Sequence, residues 1–135
     1  MFKRLGRNST SDRQRYDSGR RRLRRLRRDP AAHALVSSVA EVRGVSLQDL
    51  LRTTRSNEEV AHARCLAMYL VHVQLARPLA DVGFLFFRDR TTVAHACKLI
   101  EDSRDLVETE VEIASIAEAL VTRRARRGRR LCHVI

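Results

Sequence analysis

Between Ala31 and Leu120 the apolar side chains return every three or four residues and nowhere alternate, and this period constrains the fold more than any other feature. Positions i, i+3, i+4 and i+7 share one face of an α-helix, whereas a half-buried strand needs a period of two. Leu35, Val36, Val39, Ala40 and Val42 predict a first helix ending at Gly44. Ser46 is placed to cap a short second helix, with Asp49 in the capping-box position and Leu47, Leu50 and Leu51 as its apolar face. Asn57 can cap a long third helix along Val60, Ala63, Ala67, Leu70, Val71 and Gln74, with Glu58 and Glu59 at the positive end of its dipole. Its length makes it the expected central packing helix.

Arg77-Pro78 closes that helix and opens a fourth, since proline is tolerated in a first turn; Leu79, Val82 and Phe86 form its buried face. Asp89 can cap a fifth helix over about 90–101, with Val93, Ala96, Cys97 and Ile100 turned inward. A last helix, roughly 104–125, is expected to bury Val107, Val111, Ala114 and Leu120 and to stop at Gly128. No segment reads as a strand. Aromatics make up only 4% of the chain and Trp is absent, so the core is one of Leu, Val and Ala. The predicted class is all-α, a bundle of about six helices with disordered basic tails.

Charge divides the chain into three. Residues 1–30 carry twelve Lys and Arg against three Asp, residues 31–121 carry nine basic against thirteen acidic, and residues 122–135 carry six Arg and no acid. The net charge of +11 therefore sits at the ends, around a mildly acidic middle. The reading is a disordered Arg-rich tail over 1–30, a folded domain over 31–122 and a basic tail over 123–135. Arg20, Arg21, Arg22, Arg24, Arg25, Arg27, Arg28, Arg123 and Arg124 would bind a polyanion without regard to sequence, through counterion release. The pair Leu23 and Leu26 offers 20–28 a way to become helical, but the segment is read as disordered because it holds too few apolar residues to fold alone.

No apolar run approaches the roughly 20 residues that span a bilayer, so no membrane partner is expected. No apolar stretch follows the N-terminal charges as a secretory signal would require. Cys65, Cys97 and Cys132 are odd in number and lack metal-ligand spacing, which predicts no metal site and a reducing, cytosolic compartment. No arrangement of catalytic groups stands out, so neither an enzyme, nor a cofactor, nor a small-molecule substrate is expected.

The span Leu79 to Ile100 has the shape of a helix-turn-helix, two short helices joined by a tight turn, the second opening D-R-T-T. In such a unit the second helix lies in the major groove and reads bases with its first turn. Arg can bond two acceptors of a guanine, Thr methyls pack on thymine methyls, and Asp accepts from the cytosine amino group. Arg88, Asp89, Arg90, Thr91 and Thr92 are such a set at one helix start.

The order of residues adds a resemblance. F-R-D-R-T-T-V-A-H-A-C-K-L-I resembles the signature G-G-R-D-H-T-T-V-x-H-A-x-x-K-I of the C-terminal DNA-binding domain of the bacterial replication initiator family DnaA. Upstream, V-A-E-V-R-G-V-S-L-Q-D-L-L-R-T-T-R-S, A-R-C-L-A-M-Y-L and P-L-A-D-V-G resemble the same domain's earlier stretches, in the same order, over about Val36 to Leu120. The resemblance implies that Arg88, Asp89, Arg90, Thr91 and Thr92 touch base edges in the major groove. It implies that Arg55 enters the adjacent minor groove, and that Ser56, Arg64, His95 and Lys98 contact the DNA backbone or support the reading helix. It also implies double-stranded DNA as partner, replication-initiation proteins as a further partner class, a cytoplasmic, nucleoid-associated location, and a role in regulating replication initiation or transcription.

Three departures matter. Arg90 stands where the family has His, Phe87 replaces the Gly-Gly of the turn with one residue fewer, and the basic loop carries Glu58 and Glu59 where further Arg are usual. No G-x-x-x-x-G-K-[ST] phosphate loop occurs, and 135 residues leave no room for an ATPase domain. Two other readings stay open at this point: a non-specific nucleoid or phage-type binder driven by the Arg tails, and an adaptor whose domain no longer reads bases.

Overall fold

The computed structural model describes residues 19–52 and 57–134, with side chains described as far as Arg127. Helix α1 covers 19–27 of the described chain. It is followed by α2 (Pro30–Arg43), α3 (Leu47–Leu51), α4 (Glu58–Gln74), α5 (Leu79–Phe86), α6 (Arg90–Ser103) and α7 (Val107–Val134). Among the described residues there is no strand, and no helix is long and apolar enough to cross a membrane.

The helix boundaries follow the capping chemistry. Asp29 Oδ1 accepts from the Ala32 N–H and Pro30 opens α2, which ends at Gly44 in the left-handed region at φ 67°. Ser46 Oγ accepts from the Asp49 N–H at 3.1 Å, and Asn57 Oδ1 from the Val60 N–H at 2.9 Å, each satisfying a donor that the helix itself leaves open.

Helix α4 is the centre of the bundle, packed by α2, α3, α5 and α6. Six consecutive residues, Leu66 to Val71, are buried on it, which is possible only for a helix covered on all sides. Helix α7 lies against α2. Arg77 grips both oxygens of Asp29, at 3.1 and 3.2 Å, and so ties the α1–α2 corner to the loop after α4.

Four expectations change. Residues 20–27 of the segment read as disordered belong to a helix that packs: Leu26 is fully buried and Leu23 leans on the core, so the apolar pair suffices once the rest of the bundle supplies the other wall. In α7 the buried face is Thr109, Ile113, Ile116 and Leu120, while Val107, Val111 and Ala114 point outward. The helix carries two apolar stripes on opposite faces, and the one with the larger side chains takes the core. Gly128 does not stop α7, which continues to Val134; a glycine inside a helix costs only about 1 kcal/mol. Val42 and Gln74, expected on inward faces, lie exposed near the ends of α2 and α4.

Candidate nucleic-acid interface

Helix α5 ends at Phe87, whose backbone adopts the left-handed conformation (φ 56°, ψ 45°) that favours glycine and that Gly44 and Ala76 share. That conformation costs a side-chain-bearing residue about 1–2 kcal/mol, so something must hold it. The turn closes on the Gly83 carbonyl, which accepts from the N–H groups of Phe87 and of Arg88, the latter at 2.9 Å. A Cβ at Gly83 would collide with the Arg88 carbonyl oxygen. Glycine here lets the turn fold back onto α5.

Arg88 is half-buried beneath the turn. Its guanidinium donates to the Arg52 carbonyl at 3.0 Å, while its Nε has no hydrogen-bond partner among the described residues. Burial first, and the neighbouring Arg88 next, hold both the Arg22 and the Arg64 guanidinium below the ordinary arginine value. The back of the turn is thus a concentrated positive charge.

Asp89 stands at the N-cap of α6 with extended backbone, yet its side chain accepts no hydrogen bond from the first turn. Asp89 is exposed, and its carboxylate is not engaged in capping the helix. Arg90, Thr91 and Thr92 follow it, all exposed, while Val93, Ala96 and Ile100 seat α6 in the core. His95 and Lys98 are exposed further along the helix, one and two turns on from Thr91. The first turn of α6 therefore offers guanidinium, carboxylate, hydroxyl and methyl groups on one open surface.

The remaining predicted residues separate. Arg55 and Ser56 lie outside the described residues. Arg64, expected at the DNA backbone, is 7% exposed and donates to the carbonyls of Leu50 (2.8 Å) and Asp49 (2.9 Å). Its guanidinium caps the end of α3 against α4, so its place is inside the fold rather than on a phosphate. Arg20, Arg21, Arg24, Arg27, Arg28 and Arg124 are exposed. Arg123 pairs with Glu41 at 2.6 Å.

Arg22 and Arg25, expected from the sequence as sequence-independent DNA contacts on a disordered tail, instead return to this site from α1. Arg22 donates to the Leu51 carbonyl and Arg25 to the Phe84 carbonyl, each at 3.0 Å. The Arg25 guanidinium lies 3.9 Å from the ring centre of Phe84 and 4.0 Å from that of Phe87. Such cation–π contacts are worth about 0.5–2 kcal/mol, and here they brace the residue held left-handed. The signal was present as two exposed-type Phe beside a turn and two Arg three residues apart.

The family described as "Bacterial dnaA protein helix-turn-helix" matches residues 32–100. Among curated proteins, the chain is similar to "Chromosomal replication initiator protein DnaA 2" of Protochlamydia amoebophila, 34% identical over 87 residues, which are 64% of this chain and 19% of that protein. It is similar to "Chromosomal replication initiator protein DnaA 2" of Chlamydia muridarum, 37% identical over 84 residues, 58% of this chain and 18% of that one. It is also similar to "Chromosomal replication initiator protein DnaA" of Brucella abortus, 40% identical over 83 residues, 61% of this chain and 16% of that one. The chain thus spans about a fifth of the length of the curated relatives it matches.

Proposed function

The chain belongs to the bacterial DnaA helix-turn-helix family, whose domain binds DNA, and from that premise we propose that it reads a specific double-stranded DNA site with the first turn of α6. The role is regulation of replication initiation or of transcription, in the cytoplasm at the nucleoid, with replication-initiation proteins as a further class of partner. The observation that carries this reading is the open surface formed by Asp89, Arg90, Thr91 and Thr92, set on a helix whose other face is locked into the core. Side chains on a rigid element at a helix start are what base-edge recognition in the major groove requires. Arg88, expected from the sequence to read bases with Asp89, Arg90, Thr91 and Thr92, is half-buried and donates to the Arg52 carbonyl, so its proposed part is to support the reading turn from behind. His95 and Lys98 are proposed as backbone contacts, with Arg55 in the minor groove and Ser56 on the backbone beside it. Arg20, Arg21, Arg24, Arg27, Arg28, Arg123 and Arg124 are proposed to add sequence-independent attraction.

Selection of bound sites from random duplexes tests this. One enriched site is expected, differing from an initiator's own site where Arg90 replaces the family's His, with guanine favoured there. Arg90→Ala should then cost about 1–3 kcal/mol on that site and relax the preference at one base pair. Uniform weakening on all duplexes would make Arg90 a phosphate contact. The absence of any enriched site would leave the non-specific reading in its place if duplex is still bound, and the adaptor reading if it is not.

A further inference from the structure

Helix α1 carries two sets of arginines on different arcs. Arg22 and Arg25 turn inward, beside Leu23 and Leu26, and their donors land on the end of α3, the end of α5 and the turn residue Phe87. These landing points border the proposed reading surface: Phe87 lies two residues before Asp89, and Leu51 directly precedes Arg52, whose carbonyl accepts from Arg88. Arg21, Arg24 and Arg28, the last one residue past the end of α1 but with its N–H still bonded to the Arg24 carbonyl, occupy the other arc, exposed and spaced three and four apart. None of these three side chains has an ion-pair or hydrogen-bond partner among the described residues. Seven residues at 1.5 Å rise spread them over about 10 Å. At about 3.4 Å of axis per phosphate along one strand, that length meets about three phosphates.

We propose that α1 is a docked arginine rail, in which Arg21, Arg24 and Arg28 contact the duplex phosphates on one flank of the site, while Arg22 and Arg25 are positioning residues that fix the row beside α6. This rests on the reading of α6 as the base-reading helix. A flexible basic tail samples both flanks of any duplex, whereas a row anchored at the turn reaches only one.

The test uses the full chain and the enriched duplex, intact or cut back to the edge of the site on one side or the other. Removing one flank is expected to weaken binding on the order of tenfold, and removing the other to leave it within about twofold. The triple variant Arg21→Gln, Arg24→Gln, Arg28→Gln should lose this one-sidedness and lower the slope of log affinity against log salt by about 2.7. Arg25→Ala keeps all three outward charges and should also lose the one-sidedness, which a residue serving only as charge would not do. Equal loss on both flanks, or no loss on either, overturns the rail. Persistent asymmetry in Arg25→Ala overturns the positioning role of Arg25. If no site is enriched at all, the reading of α6 falls and the rail falls with it.

Discussion

The two arginine-rich ends of the chain look alike in sequence and differ in structure. Residues 20–28 hold seven Arg in nine, and 123–130 hold six in eight. In α1 two of those arginines return to backbone carbonyls of α3 and α5, and Leu26 is fully buried. In the last stretch of α7, among the side chains described, only Arg123 returns, to Glu41 and to the Ser37 carbonyl, and Arg124, Arg126 and Arg127 are exposed. The difference is the pair of leucines: residues 122–130 contain no side chain larger than Ala that is apolar. Charge density decides what a segment attracts; the apolar residues within it decide whether it belongs to the fold.

The largest effect that sharpens this contrast is on stability. Leu26→Ala should cost about 2–5 kcal/mol, as expected for a fully buried leucine, measured by urea unfolding. Arg124→Gln, Arg126→Gln and Arg127→Gln should each stay within about 0.5 kcal/mol of the parent. A loss below about 1 kcal/mol at Leu26 would make α1 a passenger on the bundle and erase the contrast.

A smaller effect separates the ends in binding. The α7 triple variant removes as many charges as the α1 triple does, and should lower the salt slope by up to about 2.7 as well. It should weaken the best site and random duplex together and leave the one-sided flank dependence set by α1 unchanged, since Arg124, Arg126 and Arg127 have no contact that fixes them beside α6 among the described residues. A change in that one-sidedness in the α7 variant would mean that this end, too, is held against the DNA.

Most of the bundle was legible because caps and apolar spacing are local. Ser46, Asn57 and Gly44 mark boundaries that the structure keeps, and the inward faces of α4, α5 and α6 contain the expected residues apart from Gln74. What was not legible depends on partners distant in the chain. Arg64 resembles a surface cation until α3 folds back and presents the Asp49 and Leu50 carbonyls to it. Helix α1 contains too little apolar surface to fold alone, and the distant core and the ends of α3 and α5 complete its environment. The inward face of α7 is a choice between two stripes, made by contact with α2. At the candidate site the exposed start of α6 was readable from D-R-T-T. The bracing of Phe87 by Arg25 was not, because 62 residues separate the two.

The smallest expected effect joins the two ends at one residue. His33, on α2, has its pKa lowered from 6.5 by burial first, then by Arg27 of α1 and by Arg123 of α7. The folded state therefore favours the neutral imidazole, and the unfolded chain takes up its proton at the higher pH. The contribution of His33 to stability is thus present above about pH 6.5 and is lost as the pH falls through the lowered folded-state value. His33→Gln should flatten the decline in stability between pH 7.5 and 5 relative to the parent chain. Following the imidazole by NMR gives a finer test, since Arg27→Gln and Arg123→Gln should each raise the His33 pKa, the first more than the second. Equal or reversed shifts would mean that α1 does not stand closer to α2 in solution than the α7 end does. No shift from Arg27→Gln would place α1 away from this corner altogether, and with it the claim that one arginine-rich end is fold and the other is not.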